Sequence, residues 1–361
     1  MFQSVFSLVR WLFPLFLVGC VLSFCSDFTP PSSKVKWKNR IRAKGVQNFD
    51  DFLHWTIPQH MRDYILKEPI ESQVLHVEFP QGEDFIKWHG YFSLYTPLVG
   101  KVSRKKNDLQ IACTLLEKVA QVSKEDPRFS IEEVLAKVVA YRELKVGDEI
   151  PIPSPHNPNS FTTYRVDKVL DLWHGMPAFG LVGEKGEDPI LLFRGTDFSL
   201  DVERGWASLI SDVDVRGPGW TAFKKAQGQI HDWLLSMSQK GAKARVIGFS
   251  LGGVLAAYTF LYENQLVDLE RSVAFNPPGI SEQTFKEWES LPEEVRGKFR
   301  VYVARGDLVS KIGNLFGSVS ELSLATPLKP LKAHTLLFCA EGSFFCRQVD
   351  VEKENKFRLK S

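Results

Sequence analysis

Cysteine is scarce: five occur in 361 residues, at positions 20, 25, 113, 339 and 346, too few and too unevenly placed for a disulfide framework. There is no C-x-x-C pair and no His-Cys cluster, so no metal-ligand spacing is present. Cys339 and Cys346 are close enough to bridge across a short loop in an oxidising compartment, or to remain buried free thiols. An excess of one charge is also missing, since 45 Lys and Arg face 43 Asp and Glu for a net charge of +2. With no zinc-finger spacing and no aromatic RNA-binding signature, nucleic acid is a poor partner. Internal repeats are absent. What remains, 44% hydrophobic and 24% charged residues, is the composition of a globular protein with a sizeable core.

The amino terminus is unlike the rest. Arg10 is the one charge before a run from Trp11 to Phe24 that is apolar except for Pro14, Gly19 and Ser23. Residues 1–28 therefore read as a signal peptide, lipoprotein signal or membrane anchor. Leu17-Val18-Gly19-Cys20 resembles the lipobox of bacterial lipoprotein precursors, in which the cysteine is lipidated, although Val21, Leu22 and Phe24 continue the apolar run. Cations then fall at every second position from Lys34 to Lys44, and six cations after the apolar run against one before it would hold the domain inside. Export and an inside-facing anchor both stay open, as does contact of the basic run with anionic headgroups. Either way the expectation is membrane association, on a face the sequence leaves undecided.

Residues 29–150 read as a basic linker and a mainly helical region, with helical periodicity at Leu109 to Ser123 and Ile131 to Leu144. No chemical motif stands out there. Gly147 to Ser160 carries Pro151, Pro153, Pro155 and Pro158 and reads as a connection. The catalytic region, 151–345, starts with a hairpin of Thr162 to Leu172 and Met176 to Gly183 around Trp173-His174-Gly175, followed by a strand at Pro189 to Phe193. Strands at Ala244 to Ile247, Arg271 to Phe275 and Phe299 to Ala304 then alternate with helices at Gly252 to Asn264 and Ser281 to Leu291. This alternation predicts an α/β fold with a mostly parallel sheet flanked by helices. Residues 346–361 read as a charged tail, frayed from Asp350 to Ser361.

Gly248-Phe249-Ser250-Leu251-Gly252 is the segment that carries chemistry. About one chain in ten of this length would hold G-x-S-x-G by chance at ordinary glycine frequency, so the context matters more than the pentapeptide. A strand precedes it and an amphipathic helix start follows, which is the strand, sharp turn and helix of a nucleophile elbow. Side chains at Gly248 or Gly252 would collide with the neighbouring strand or helix. Ser250 becomes the candidate nucleophile, and the Leu251 N–H at the helix start is placed to donate to an oxyanion. A serine hydroxyl needs a base and a group to orient it, in the chain order Ser, acid, His on this fold. His334 is the one histidine beyond Ser250. Of Asp268 and Asp307, Asp268 precedes its strand while Asp307 follows one, at the carboxyl edge with Ser250; Glu321 is a reserve. Such a site needs no metal or organic cofactor.

These residues resemble the class 3 (fungal-type) lipases of the α/β-hydrolase superfamily over about residues 160 to 340. Leu191-Leu192-Phe193-Arg194-Gly195-Thr196 looks like the family's strand ending in Arg-Gly-Ser or Arg-Gly-Thr. Val303-Ala304-Arg305-Gly306-Asp307-Leu308-Val309 is similar to its acid-bearing strand end. The resemblance implies Thr196 as a second oxyanion donor beside Leu251, a lid at Asp197 to Leu209, and a lipid or other ester as substrate, with soluble esters and thioesters as alternatives. It departs at Phe249, where the family usually has His, and at Gly217-Pro218-Gly219-Trp220-Thr221-Ala222-Phe223, where it has His-x-Gly-Phe. A membrane-tethered binding protein with a degenerate hydrolase domain is the competing reading from another class.

Overall fold

Five strands of one sheet follow each other in space in the order in which they follow each other in sequence, and the site is built at their common end. The computed structural model describes residues 73–76, 109, 112–113, 115–117, 127–154, 157–172, 176–195, 213–214, 216–328, 330–340 and 343–358, all within a unit spanning Glu68–Ser361. The expectations for residues 1–28, for the basic run from Lys34 to Lys44 and for Trp173-His174-Gly175 lie outside the described residues. So do those for Thr196 and Asp197 to Leu209. No helix among the described residues is long and apolar enough to cross a membrane.

In chain order the elements are β1 (Gln73–His76), α1 (Pro127–Lys137), β2 (Glu149–Ser154), β3 (Asn157–Asp171), β4 (Pro177–Gly183) and β5 (Ile190–Phe193). A short ribbon of β6 (Val213–Asp214) and β7 (Gly217–Pro218) leads into α2 (Trp220–Gln239), β8 (Arg245–Phe249), α3 (Leu251–Tyr262) and β9 (Val273–Phe275). Then come α4 (Glu282–Glu289), α5 (Glu293–Arg296), β10 (Arg300–Ala304), β11 (Ser318–Ser323), α6 (Pro330–Thr335), β12 (Ser343–Gln348) and α7 (Val351–Arg358).

The large sheet has the order β1-β12-β11-β10-β9-β8-β5-β4-β3-β2. Its centre, β5-β8-β9-β10-β11, is parallel, and antiparallel strands extend it on both sides. Because β5, β8, β9, β10 and β11 step in one direction, right-handed crossovers put α2, α3 and α4 on one face. The packing agrees: a Cβ at Gly180 of β4 would meet Trp233 of α2 at 2.5 Å, and one at Gly248 of β8 would meet the Gly252 carbonyl oxygen of α3 at 2.1 Å. The opposite face falls to α1. Its Ile131, Val134 and Leu135 share a buried cluster with Ile190 and Leu192 of β5, Ile247 and Phe249 of β8, and Val273 and Phe275 of β9. Covered on both faces, β5 and β8 are buried along their whole length, which is why they read as nearly continuous apolar runs. Burying one Phe or Leu contributes about 1.5–3 kcal/mol, and both layers are dense in them.

Three expectations need correction. The proline-bearing stretch read as a connection contains β2, paired antiparallel with β3 and last in the sheet order. An edge strand tolerates Pro151 and Pro153 because one row of its N–H groups has no ladder partner to lose. The helix expected over Ile131 to Leu144 spans Pro127–Lys137, with a 3-10 turn at Val139–Tyr141. The tail expected to fray from Asp350 forms α7 over Val351–Arg358, where Asn355 accepts from the Leu315 N–H at 2.8 Å and donates to the Leu315 carbonyl at 2.9 Å. Cys339 and Cys346 are free thiols, and burial and neighbouring Glu133 push the Cys339 thiol well above its usual pKa.

A buried carboxylate ties α1 to the amino-terminal ends of two strands. Glu132 lies 2.7 Å from Nη2 of Arg300 on β10, 3.5 Å from Nη1 of Arg245 on β8 and 3.0 Å from Nε of Arg128. Removing one partner of such a network leaves the remaining charges uncompensated. Glu132→Ala is therefore expected to lower unfolding free energy by about 3–5 kcal/mol, measured by urea denaturation, whereas loss of a surface ion pair would cost under about 1 kcal/mol.

Candidate active site

Parallel pairing puts the carboxyl ends of β5, β8, β9 and β10 on one edge, in a register that aligns Phe193 with Gly248, Phe249 with Phe275, and Phe275 with Tyr302. The residues that follow these strands therefore meet. Ser250 follows β8 with φ 55° and ψ −128°, a backbone that costs a non-glycine residue about 1–3 kcal/mol. The turn is held from both sides, because the Ser250 N–H donates to the Phe275 carbonyl of β9 at 2.9 Å and its own carbonyl accepts from the Gly253 N–H at 2.9 Å.

The glycines around it are required by contact. A Cβ at Gly252 would lie 2.6 Å from the Phe193 carbonyl oxygen, and one at Gly195 would lie 2.5 Å from the Phe249 carbonyl oxygen. Helix α3 thus abuts the ends of β5 and β8. Leu251 is its first residue, so its N–H belongs to the turn that has no carbonyl partner within the helix.

His334 lies on α6, and its Nε2 is 2.9 Å from the Ser250 Oγ. Its Nδ1 is 3.0 Å from Oδ1 of Asp307, which follows β10 after the turn of Arg305 and Gly306. Ser250, Asp307 and His334 are all buried. A carboxylate withdrawn from water needs donors, and Asp307 has them: Oδ1 accepts from the Val309 N–H at 2.9 Å and Oδ2 from the Ser310 hydroxyl at 2.9 Å. In the tautomer that carries its proton on Nδ1, on the side of that carboxylate, Nε2 is the acceptor for the Ser250 hydroxyl. The other carboxylates weighed in the sequence are engaged elsewhere. Asp268 accepts from the Arg271 Nε at 2.7 Å and from backbone N–H groups of its own turn, and Glu321 accepts from Arg347 at 3.0 Å.

Asn276, which follows β9, is a contributor that sequence reasoning missed. Its Nδ2 donates to the carbonyls of Ala333 and His334 at 3.1 and 2.6 Å, and its Oδ1 accepts from the Ala304 N–H at 2.9 Å. One buried amide thus joins β9, β10 and the helix that bears His334. Its φ of 45° suits Asn, which tolerates left-handed backbone better than most residues. The available signal was position: a polar residue ending an apolar strand beside the serine turn. Ser310 carried a clearer one, three residues after Asp307, the spacing of a side-chain-capped turn. Phe249, the residue before Ser250, packs its ring 4.9 Å from the His334 ring at 34°.

In the segment that departs from the family's His-x-Gly-Phe, Trp220 opens α2 and packs against Tyr258 and Tyr262 of α3. Tyr258 donates to the Pro218 carbonyl at 3.0 Å. The segment therefore braces the helix behind Ser250.

Two substitutions separate contact from flexibility. Gly248→Ala drives a Cβ into the Gly252 carbonyl and is expected to destabilise by more than about 3 kcal/mol, while Gly228→Ala in α2, where a Cβ meets nothing within 4 Å, is expected to stabilise by about 0.5–1 kcal/mol. Thermal unfolding reads both. Asn276→Ala leaves three backbone groups without their partner and is expected to cost about 2–3 kcal/mol. The nearly isosteric Asn276→Asp should fare no better in the same measurement, since it turns a carboxylate oxygen toward two carbonyls.

No protein-family model and no curated protein matches the chain. Solved structures similar to it include the triacylglyceride lipase of Rhizomucor miehei, 13% identical, covering 77% of this chain and 89% of that one with a TM-score of 0.36. The Lip2 lipase of Yarrowia lipolytica is 16% identical, over 66% of this chain and 86% of that one, at a TM-score of 0.35. The lipase of Rhizopus microsporus var. chinensis is 13% identical, over 80% and 86%, at 0.35. The fold is α/β, with a strand, turn and helix around Ser250 at the carboxyl edge of a parallel sheet centre.

Proposed function

We propose that the chain is a serine hydrolase that cleaves carboxylic esters, with lipid acyl esters as its substrate class. The observation that carries this reading is the chain of contacts from Ser250 Oγ to His334 Nε2 at 2.9 Å and from His334 Nδ1 to Asp307 at 3.0 Å, at a strained turn opening a helix. Ser250 attacks the ester carbonyl carbon while His334 accepts its proton, and Asp307 holds the imidazole in the required tautomer and stabilises the imidazolium. The negative charge that develops on the carbonyl oxygen is met by the Leu251 N–H at the start of α3, with Thr196 as the second donor that the family resemblance implies. His334 then returns the proton to the leaving alkoxide. Water, activated by the same imidazole, hydrolyses the acyl-enzyme. The substrate class is proposed from that resemblance together with the apolar and basic amino-terminal segments, which would bring the domain to a membrane surface as an exported lipoprotein or an anchored protein.

Labelling with a fluorophosphonate tests the chemistry, because it reports an activated serine independently of the natural substrate. The full chain is expected to label, and Ser250→Ala and His334→Ala to lose labelling. Asp307→Asn is expected to reduce ester turnover by about 10³–10⁴-fold. A wild-type chain that is folded and does not label would overturn the reading. Turnover of short-chain and long-chain esters, below and above micelle formation, tests the substrate class; a rate that ignores the interface would favour soluble esters.

A further inference from the structure

Helix α1 precedes the strands that carry Ser250 and Asp307, yet two of its charged residues besides Glu132 are wholly enclosed. Glu133 and Lys137 lie one helical turn apart with side chains 0% and 1% exposed and are joined at 2.7 Å. Burying two charges is costly, and an apolar pair of similar volume often serves stability as well. Here each charge has further work. Glu133 Oε1 accepts from the Phe338 N–H at 3.0 Å and Oε2 from the Cys339 N–H at 2.8 Å, while Lys137 Nζ donates to the Leu336 carbonyl at 2.6 Å. All three backbone groups lie in the few residues that leave His334. The same ammonium faces the rings of Phe249 at 5.6 Å, Phe275 at 5.7 Å and Phe338 at 5.8 Å, and Phe249 is the ring against which the His334 imidazole packs.

We propose that the buried Glu133–Lys137 pair is a positioning element for His334, fixing the chain behind the imidazole and the Phe249 ring beside it. The proposal rests on the reading of Ser250, His334 and Asp307 as a hydrolytic centre. Neither Glu133 nor Lys137 touches a reacting atom. What they set is the distance and direction of Nε2 toward the serine and toward the leaving group. Asn276 holds the carbonyls of Ala333 and His334 from the other side, so the base is gripped before and after its own position. Loss of the pair should leave the fold's apolar layers in place and loosen the imidazole.

The leaving group tells positioning from mere loss of folded protein. p-Nitrophenolate departs without a proton, whereas an alkoxide needs one from His334, so a misplaced imidazole hurts an alkyl ester more. A smaller folded fraction lowers both rates equally. Full-length wild type, Lys137→Met, Lys137→Gln and Glu133→Gln are compared on p-nitrophenyl butyrate and ethyl butyrate, with near-UV circular dichroism as the fold control. For Lys137→Met, kcat on the ethyl ester is expected to fall at least about tenfold further than on the p-nitrophenyl ester, with KM little changed. Lys137→Gln, which keeps a donor for the Leu336 carbonyl, should recover part of that difference. If Lys137→Met gives no soluble protein, Lys137→Gln and Glu133→Gln carry the comparison, because the ratio of the two rates does not depend on how much enzyme is folded. An unchanged ratio in variants of an active enzyme would overturn the positioning role alone. A folded wild type that neither labels with fluorophosphonate nor cleaves either ester would overturn the hydrolytic reading, and the proposal with it.

Discussion

The closeness of α3 to the ends of β5 and β8 is the constraint on which the site depends. A Cβ at Gly248 or Gly252 would stand well inside van der Waals contact with backbone, so the helix can begin directly at the strand end only while both positions stay bare. That adjacency forces Ser250 into a backbone conformation that L-residues avoid, and it aims the serine away from the sheet toward whatever the neighbouring strand ends supply. What they supply follows from the register. Asn276 follows β9 and Asp307 follows the turn after β10, while α6 arrives from beyond β11 with His334.

Around this edge the protein uses buried polar groups as fasteners rather than as bulk. Glu132 and Glu133 are neighbours on α1 and do different jobs. One gathers the arginines at the amino-terminal ends of β8 and β10, and the other reaches the chain that follows His334. A single helix thus holds both the starts of two strands and the segment that follows His334 through two adjacent carboxylates, while its apolar residues join the buried cluster against the sheet. Such an arrangement exchanges some stability for definition, since each charge has few geometries in which every partner is satisfied.

How much of this was legible in the sequence depended on range. The elbow was readable because its glycines, strand and helix lie within about three short segments of one local pattern. Chain order nominated His334 and strand position Asp307, and the structure brings His334 to Ser250 and Asp307 to His334. Asn276, Glu133 and Lys137 were not nominated, for a physical reason. A Glu and a Lys at i and i+4 on a helix resemble a solvated surface pair, and nothing local reveals that three aromatic rings and a distant backbone enclose them. The prolines of β2 misled in the same way, because only the sheet order shows that this strand is an edge. The charged tail looked frayed because its anchor, Asn355 against Leu315, is a single uncharged residue among many charged ones. Thr196 and the residues after it lie outside the described residues, so that part of the expected site stays with the family resemblance.

The reach of Glu133 also bears on how the chain must come together. Its partners at Phe338 and Cys339 lie 205 and 206 residues downstream, so during synthesis α1 leaves the ribosome long before the segment that completes it exists. Contacts of such separation are closed late, at the cost of a large loop. Until then the same two charges that end up enclosed keep that face of the helix hydrated and discourage it from joining other exposed apolar surfaces. The carboxylate and ammonium that later hold the backbone after His334 are, in the nascent chain, what lets the helix wait.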